Sequence, residues 1–133
     1  MSDKLRIVFV CVENSNRSQM AEALARLAAG DRVEAYSAGS RPSGVVNPKA
    51  IEAMRELGYD LSTHRSKSLA DLPDVPFDAA VTMGCGDACP LLNARRRFDW
   101  QIPDPKHLPP EEFRKVRDLI AAYVRVLLDD LDS

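Results

Sequence analysis

LRIVFVCVENSNRSQM, residues 5–20, is the stretch whose reading decides the fold. Leu5 to Val10 is a short, β-branched apolar run. It reads as a strand buried on both faces, as in a parallel sheet. From Ser18 the period changes: Met20, Leu24 and Leu27 fall at i, i+4 and i+7 with alanines beside them, and Gly30 follows as a stop. Strand, loop and helix therefore succeed one another within about 25 residues, the opening of a βαβ unit. In an open parallel sheet, ligands sit outside the C-terminal ends of the strands. The residues at that place are Cys11, Val12, Glu13, Asn14, Ser15, Asn16, Arg17 and Ser18. A loop of this length can curl its backbone N–H groups around one tetrahedral anion, and the helix dipole points its positive end at the same spot. Both effects also stabilise a thiolate at Cys11. Arg17 closes the ring with two parallel donors for two oxyanion oxygens. Ser18 can donate its hydroxyl hydrogen to the sulfur. Asn14 and Asn16 are among the few non-glycine types that tolerate positive φ, which a tight loop without glycine requires.

Outward from this core, Val33 to Ala38 reads as a second strand. Asn47-Pro48 supplies a cap and a first-turn proline for a helix striped by Ile51, Met54 and Leu57 and ended by Gly58. The polar stretch 60–76 leaves room for a short helix near Ser62 to Leu72. Phe77 to Met83 is a third strand and Phe98 to Trp100 a short fourth. Arg95-Arg96-Arg97 reads as a solvated loop. After a proline-rich loop, a last helix spans Pro110 to Leu131, with Phe113, Val116, Ile120, Tyr123, Leu127 and Leu131 on one face. Glu111 and Glu112 suit its start. Asp129 and Asp130 do not suit its end, and solvent screening is the only offset visible in the sequence. Alternating strands and helices imply right-handed crossovers. The expected fold is α/β: a single three-layer sandwich with a small four-stranded parallel sheet flanked by helices, one domain over residues 1–133.

Composition narrows the classes. The chain has 133 residues, and a chain this size buries roughly two-thirds of its unfolded surface without staples. Leu, Ile, Val and Phe number 33, enough to exclude disorder as the default. With 18 basic and 20 acidic residues, the net charge of −2 provides no strong field for nucleic acid or an anionic membrane. No unbroken apolar run exceeds the six residues of Ile7 to Val12, far fewer than the twenty or so of a membrane span and too few for a signal-peptide core. A cytoplasmic protein is expected. Three cysteines, an odd number, argue against a secreted disulfide framework and leave core packing, metal ligation or redox and nucleophilic roles.

The segment resembles the low-molecular-weight protein tyrosine phosphatase superfamily and, within it, the thioredoxin-coupled arsenate reductases. The signals are CVENSNRSQMAE (11–22), YSAG (36–39), NPKAIEAM (47–54), VTMGCGDACP (81–90) and DP (104–105), which span most of the chain in the family's order. The resemblance implies a relay. Cys11 is the first nucleophile, Cys85 attacks it, Cys89 resolves Cys85, and thioredoxin or another thiol donor reduces the final disulfide. No bound cofactor is then needed. Cys85 and Cys89, if helical, have Cα atoms about 6 Å apart, within disulfide range. The family places its general acid at Asp104. The implied partners are arsenate and the thiol donor, with no nucleic acid and no membrane, and the chain is expected to act as a monomer.

Several positions depart from the phosphatase pattern. Gln19 stands where those enzymes usually have Pro. Lys106-His107 stands where they carry aromatic residues that stack on a phosphotyrosine ring. Glu13 replaces a small residue and brings negative charge to the anion loop. Some relatives bind potassium through residues matching Asn14, Glu22 and Ser37, with an Asp at the position of Lys67; the amine of Lys67 can serve in place of that ion. His64 and His107 read as surface or capping groups, and Trp100 as the edge of the core. Two other readings stay open at this point. One is a phosphatase acting on small phosphate esters. The other is a non-enzymatic oxyanion- or metal-binding module, in which Cys11, Cys85 and Cys89 with His64 or His107 would hold zinc.

Overall fold

β1 (Leu5–Cys11) is the hub. It pairs in parallel with β2 (Val33–Gly39) along its whole length, Leu5 opposite Val33 and Cys11 opposite Gly39. On its other side it pairs in parallel with β3 (Phe77–Thr82), Ile7 opposite Ala79 and Val10 opposite Thr82. β4 (Ala94–Asp99) continues the sheet, giving the order β2-β1-β3-β4. The computed structural model describes residues 4–84 and 93–132.

The apolar run of β1 is buried on both faces, as its composition required. Ile7, Val8, Phe9 and Val10 are all fully inaccessible. Ile7, Phe9 and Cys11 join Met20, Leu24 and Ile120 in the main core, while Val8 and Val10 meet Phe77 and Ala80 on the opposite face. α1 (Arg17–Ala29), α2 (Pro48–Arg55) and α3 (Pro110–Asp132) cover the first face. A turn-rich segment carrying Leu69, Leu72 and Val75 covers the second. Helices, sheet and turn segment make the three layers. Trp100 lies at the core edge, its ring 5.9 Å from that of Phe9 and 5.2 Å from that of Tyr123.

Five details differ from the sequence reading. Leu27 and Leu57 leave their helical stripes and are 46% and 42% exposed. α2 stops at Arg55, and Gly58 follows at φ 85°. No helix spans Ser62 to Leu72. Two single 3-10 turns, Leu61–Thr63 and Leu69–Asp71, stand there instead. Side chains take the backbone donors a helix would use: Asp60 accepts from the Ser62 N–H at 3.1 Å and Asp71 from the Ser68 N–H at 3.0 Å. The fourth strand begins at Ala94 and contains Arg95, Arg96 and Arg97, because pairing with β3 satisfies their backbone groups while charged side chains blunt the sheet edge. Finally, the acidic end of α3 is partly answered by Arg96. Its guanidinium lies 3.9 Å from the Asp130 carboxylate and donates to the Asp130 carbonyl at 3.4 Å.

Candidate active site

The strand order reverses between β1 and β3, and the loop after β1 lies at that switch point. Residues 40–47 wrap the outside of this loop. Ser40, Arg41, Ser43 and Asn47 donate their N–H groups to the carbonyls of Cys11, Val12, Glu13 and Ser15 at 3.1, 2.7, 3.0 and 3.2 Å. The Asn14 carbonyl accepts from the Gln19 side chain at 3.2 Å. In a trans peptide the carbonyl and the following N–H point in opposite directions. The N–H groups of Val12, Glu13, Asn14, Ser15 and Asn16 therefore turn inward, toward one hollow at the N-terminus of α1. The curl is made at Asn14, whose φ is 51°; Asn16, also expected at positive φ, adopts −125°. One left-handed residue suffices because Asn14 is pinned on every side. Its Oδ1 accepts from Gln19 and from the Lys67 N–H at 2.8 and 2.7 Å, and its Nδ2 donates to Ser18 at 2.8 Å.

Cys11 ends β1 with its thiol buried and 2.9 Å from the Ser18 hydroxyl. Because Asn14 donates to that hydroxyl, the Ser18 proton is free to point at sulfur. Arg17 is buried at the rim. Its Nη1 donates to the Ile102 carbonyl at 3.0 Å, and Gly84 packs against the guanidinium so closely that a Cβ there would lie 2.5 Å from Nη1. Asp104 lies beside it, half exposed, its Oδ2 3.9 Å from Arg17 Nη2. Ser15 faces the other way and donates to the Val45 carbonyl at 2.8 Å, so it frames the loop. Among the described residues, Asn16 Oδ1 is buried without a hydrogen-bond partner. The Glu13 carboxylate meets Lys106 Nζ at 3.0 Å. Cys85 and Cys89 lie outside the described residues.

Behind the loop is a polar layer that the sequence reading missed. Gln19 is fully buried, and its amide also donates to the Arg65 carbonyl at 2.8 Å. His64 is a part of this layer and not a surface group: its side chain is 5% exposed, with Nδ1 2.9 Å from Gln19 Oε1 and Nε2 2.7 Å from the Tyr59 hydroxyl. Burial pushes its pKa below the ordinary histidine value, with Glu22 opposing. The only sequence hint was a long polar residue where the helix turns inward. Beside it, Glu22 accepts from Ser37 at 2.5 Å and pairs with Arg26 at 2.6 Å. Lys67 Nζ donates to Ser37 at 3.3 Å and lies 3.9 Å from Glu22. Burial lowers the Lys67 pKa, again opposed by Glu22. The ammonium stands among the very side chains that would ligate potassium, so these residues do not fit a potassium ion. Among the described residues no group of three or more His, Cys, Asp or Glu side chains is gathered to hold a metal. His107 is exposed.

The shape of such a hollow suits a tetrahedral oxyanion, and the group beneath it is a thiol. The fold and the loop together define an α/β protein with a buried thiol at the floor of a strand-to-helix loop. The model of the family described as low molecular weight phosphotyrosine protein phosphatase matches residues 6–133, and the chain belongs to that family. It is 43% identical over 126 residues to arsenate reductase 2 of Staphylococcus haemolyticus, covering 92% of this chain and 95% of the relative. It is 44% identical over 121 residues to an arsenate reductase of Staphylococcus aureus, covering 88% and 91%. Among solved structures, an arsenate reductase in the phosphate binding state superimposes with a TM-score of 0.87 at 32% identity, covering 96% of this chain and 98% of that one. A thioredoxin-dependent arsenate reductase of Corynebacterium glutamicum gives 0.81 at 32% identity, covering 98% of this chain and 63% of that longer one.

Proposed function

We propose that the chain reduces arsenate to arsenite in the cytoplasm as a monomer, in arsenic detoxification, using thiols and no bound cofactor. The observation that carries the reading is the Cys11 thiol at the floor of a cradle of inward N–H groups closed by Arg17. The likeness to curated arsenate reductases over nine-tenths of the chain supports it.

The cradle and Arg17 bind arsenate and hold its charge. The Cys11 thiolate attacks arsenic. Asp104, at the mouth, gives its proton to the departing oxygen, which leaves as water, and a sulfur–arsenic(V) bond forms. Reduction then needs an electron pair. The Cys85 thiolate attacks Cys11 Sγ, the sulfur–arsenic bond breaks with both electrons going to arsenic, and arsenite departs. The two sulfurs are left as a disulfide. Cys89 attacks Cys85, frees Cys11 as a thiolate and leaves a Cys85–Cys89 disulfide. The dithiol of thioredoxin reduces it and is itself oxidised. The β3 segment that leads to both cysteines runs beside β1, and its last described residue, Gly84, touches Arg17.

The test is NADPH oxidation with thioredoxin, thioredoxin reductase and arsenate, comparing the wild type with Cys89→Ser. Sustained turnover in the wild type and at most one turnover in the variant is the expected result. Equal sustained turnover in both would overturn the relay. No arsenate-dependent turnover in the wild type with any thiol donor would overturn the reductase reading.

A further inference from the structure

The cradle accounts for the inward N–H groups, Cys11 and Arg17, but not for the charged pair at its mouth. Glu13 belongs to the loop, and its backbone cannot wander: its carbonyl accepts from the Ser43 N–H at 3.0 Å and the Ser66 hydroxyl at 2.9 Å. From this fixed root its carboxylate reaches across to Lys106 Nζ at 3.0 Å. Lys106 in turn donates its backbone N–H to Asp104 Oδ1 at 3.1 Å. Residues 102–106 are thus tied to the cradle at two points, by Arg17 to the Ile102 carbonyl and by Glu13 to Lys106, with Asp104 between them.

In an in-line attack by Cys11 the departing oxygen faces outward, toward the acid that protonates it. Any carbon substituent on that oxygen must leave past Asp104 and its loop. The Glu13–Lys106 bridge joins the anion loop to the segment that carries Asp104, the two sides between which that substituent must pass. A free oxyanion carries nothing on the departing oxygen and leaves the two sides joined, while a monoester must part them. The two charges also cancel, so a carboxylate at the rim does not expel the anion. We propose that the Glu13–Lys106 ion pair is a specificity bar that selects inorganic tetrahedral oxyanions over phosphate monoesters. The proposal rests on the oxyanion-reduction reading above and names what excludes the family's other substrates. An exposed pair contributes little to stability, so its removal leaves the fold and acts on access.

The test compares two double variants with the wild type. Glu13→Gln with Lys106→Met removes the bridge at constant net charge and near-constant size. Glu13→Lys with Lys106→Glu reverses it. The readout is kcat/KM for p-nitrophenyl phosphate divided by kcat/KM for arsenate. The ratio is expected to rise about fivefold in the neutral pair and to return to within roughly twofold of the wild type in the reversed pair. An unmoved ratio in the neutral pair overturns the proposal. So does a rise of equal size in both variants, which would assign the effect to side-chain shape. Failure of the reductase reading is separately visible as absent arsenate reduction in the wild type. In that event the same comparison is made by protection of Cys11 from alkylation, with inorganic phosphate against phenyl phosphate. A preference for phosphate lost only in the neutral pair upholds the bar, and any other pattern overturns it.

Discussion

Cys11 shows how much of the nucleophile's environment is set by single neighbours. Ser18 has its lone pairs engaged by Asn14 and its proton left for sulfur, a direction that follows from the Asn14 amide donating. Asp104 is placed to act but weakly held, half exposed and at the edge of ion-pair range from Arg17. An acid at the mouth needs access to the leaving oxygen more than it needs burial. Asp104→Asn is expected to slow arsenate turnover by ~10²-fold or more. Unchanged steady-state rates would remove Asp104 from the mechanism. Lys67 makes a second prediction at this scale. Its ammonium already stands against Ser37 and Glu22, so arsenate turnover is expected to be the same in potassium and sodium chloride at equal ionic strength. A large potassium stimulation would contradict the internal cation.

At the scale of elements, the loop is shaped from outside. β2 ends at Gly39, opposite Cys11, and its continuation donates four N–H groups to loop carbonyls. The approach leaves no room for a side chain. A Cβ on Gly39 would lie 2.5 Å from the Val12 carbonyl oxygen and 2.9 Å from the Asn14 nitrogen, both backbone atoms. Gly39→Ala is therefore expected to destabilise the protein by ~1–3 kcal/mol and to weaken phosphate binding, because the two hydrogen-bonded segments cannot part without opening the cradle. Urea unfolding and phosphate titration check both halves. Wild-type values in each would show that the loop relaxes freely. Gly84, at φ 82° against Arg17, plays the matching part after β3. Both glycines stand within the quoted motifs YSAG and VTMGCGDACP, yet only the packing tells which backbone or guanidinium each one admits. The Arg95–Arg97 run is the opposite case. Charge alone suggested a loop, but strand pairing with β3 gives an isolated backbone enough partners to override it.

At the scale of the whole molecule, a buried polar layer joins α1, the turn segment and β2 behind the anion loop. Its pH response follows from His64. Glu22, Lys67, Arg26 and Asp60 surround it, and burial dominates, holding the native imidazole neutral below its ordinary value of 6.5. The unfolded chain takes up that proton first. The stabilisation is present above about pH 6.5 and is lost as pH falls from there toward the lowered native value. Urea midpoints at pH 7.5 and 5.5 are expected to show this fall in the wild type and a shallower one in His64→Gln. An identical fall in both would assign the loss to other groups. The sequence by itself determined the sheet-and-helix alternation, the strand buried on both faces and the thiol-and-guanidinium loop, since each is written in local periodicity, a six-residue apolar run or the spacing of Cys11 and Arg17. It also placed Asn47 as a helix cap, which the structure seats at 2.9 Å from the Lys49 N–H. The tertiary structure alone decided the layer of Gln19 and His64, the ion pair of Glu13 with Lys106, and the strand formed by three arginines. These depend on residues up to 93 positions apart in the chain meeting at one point. No local pattern encodes such meetings, because the free energy that makes them is the burial and hydrogen bonding of groups that only the folded chain brings together.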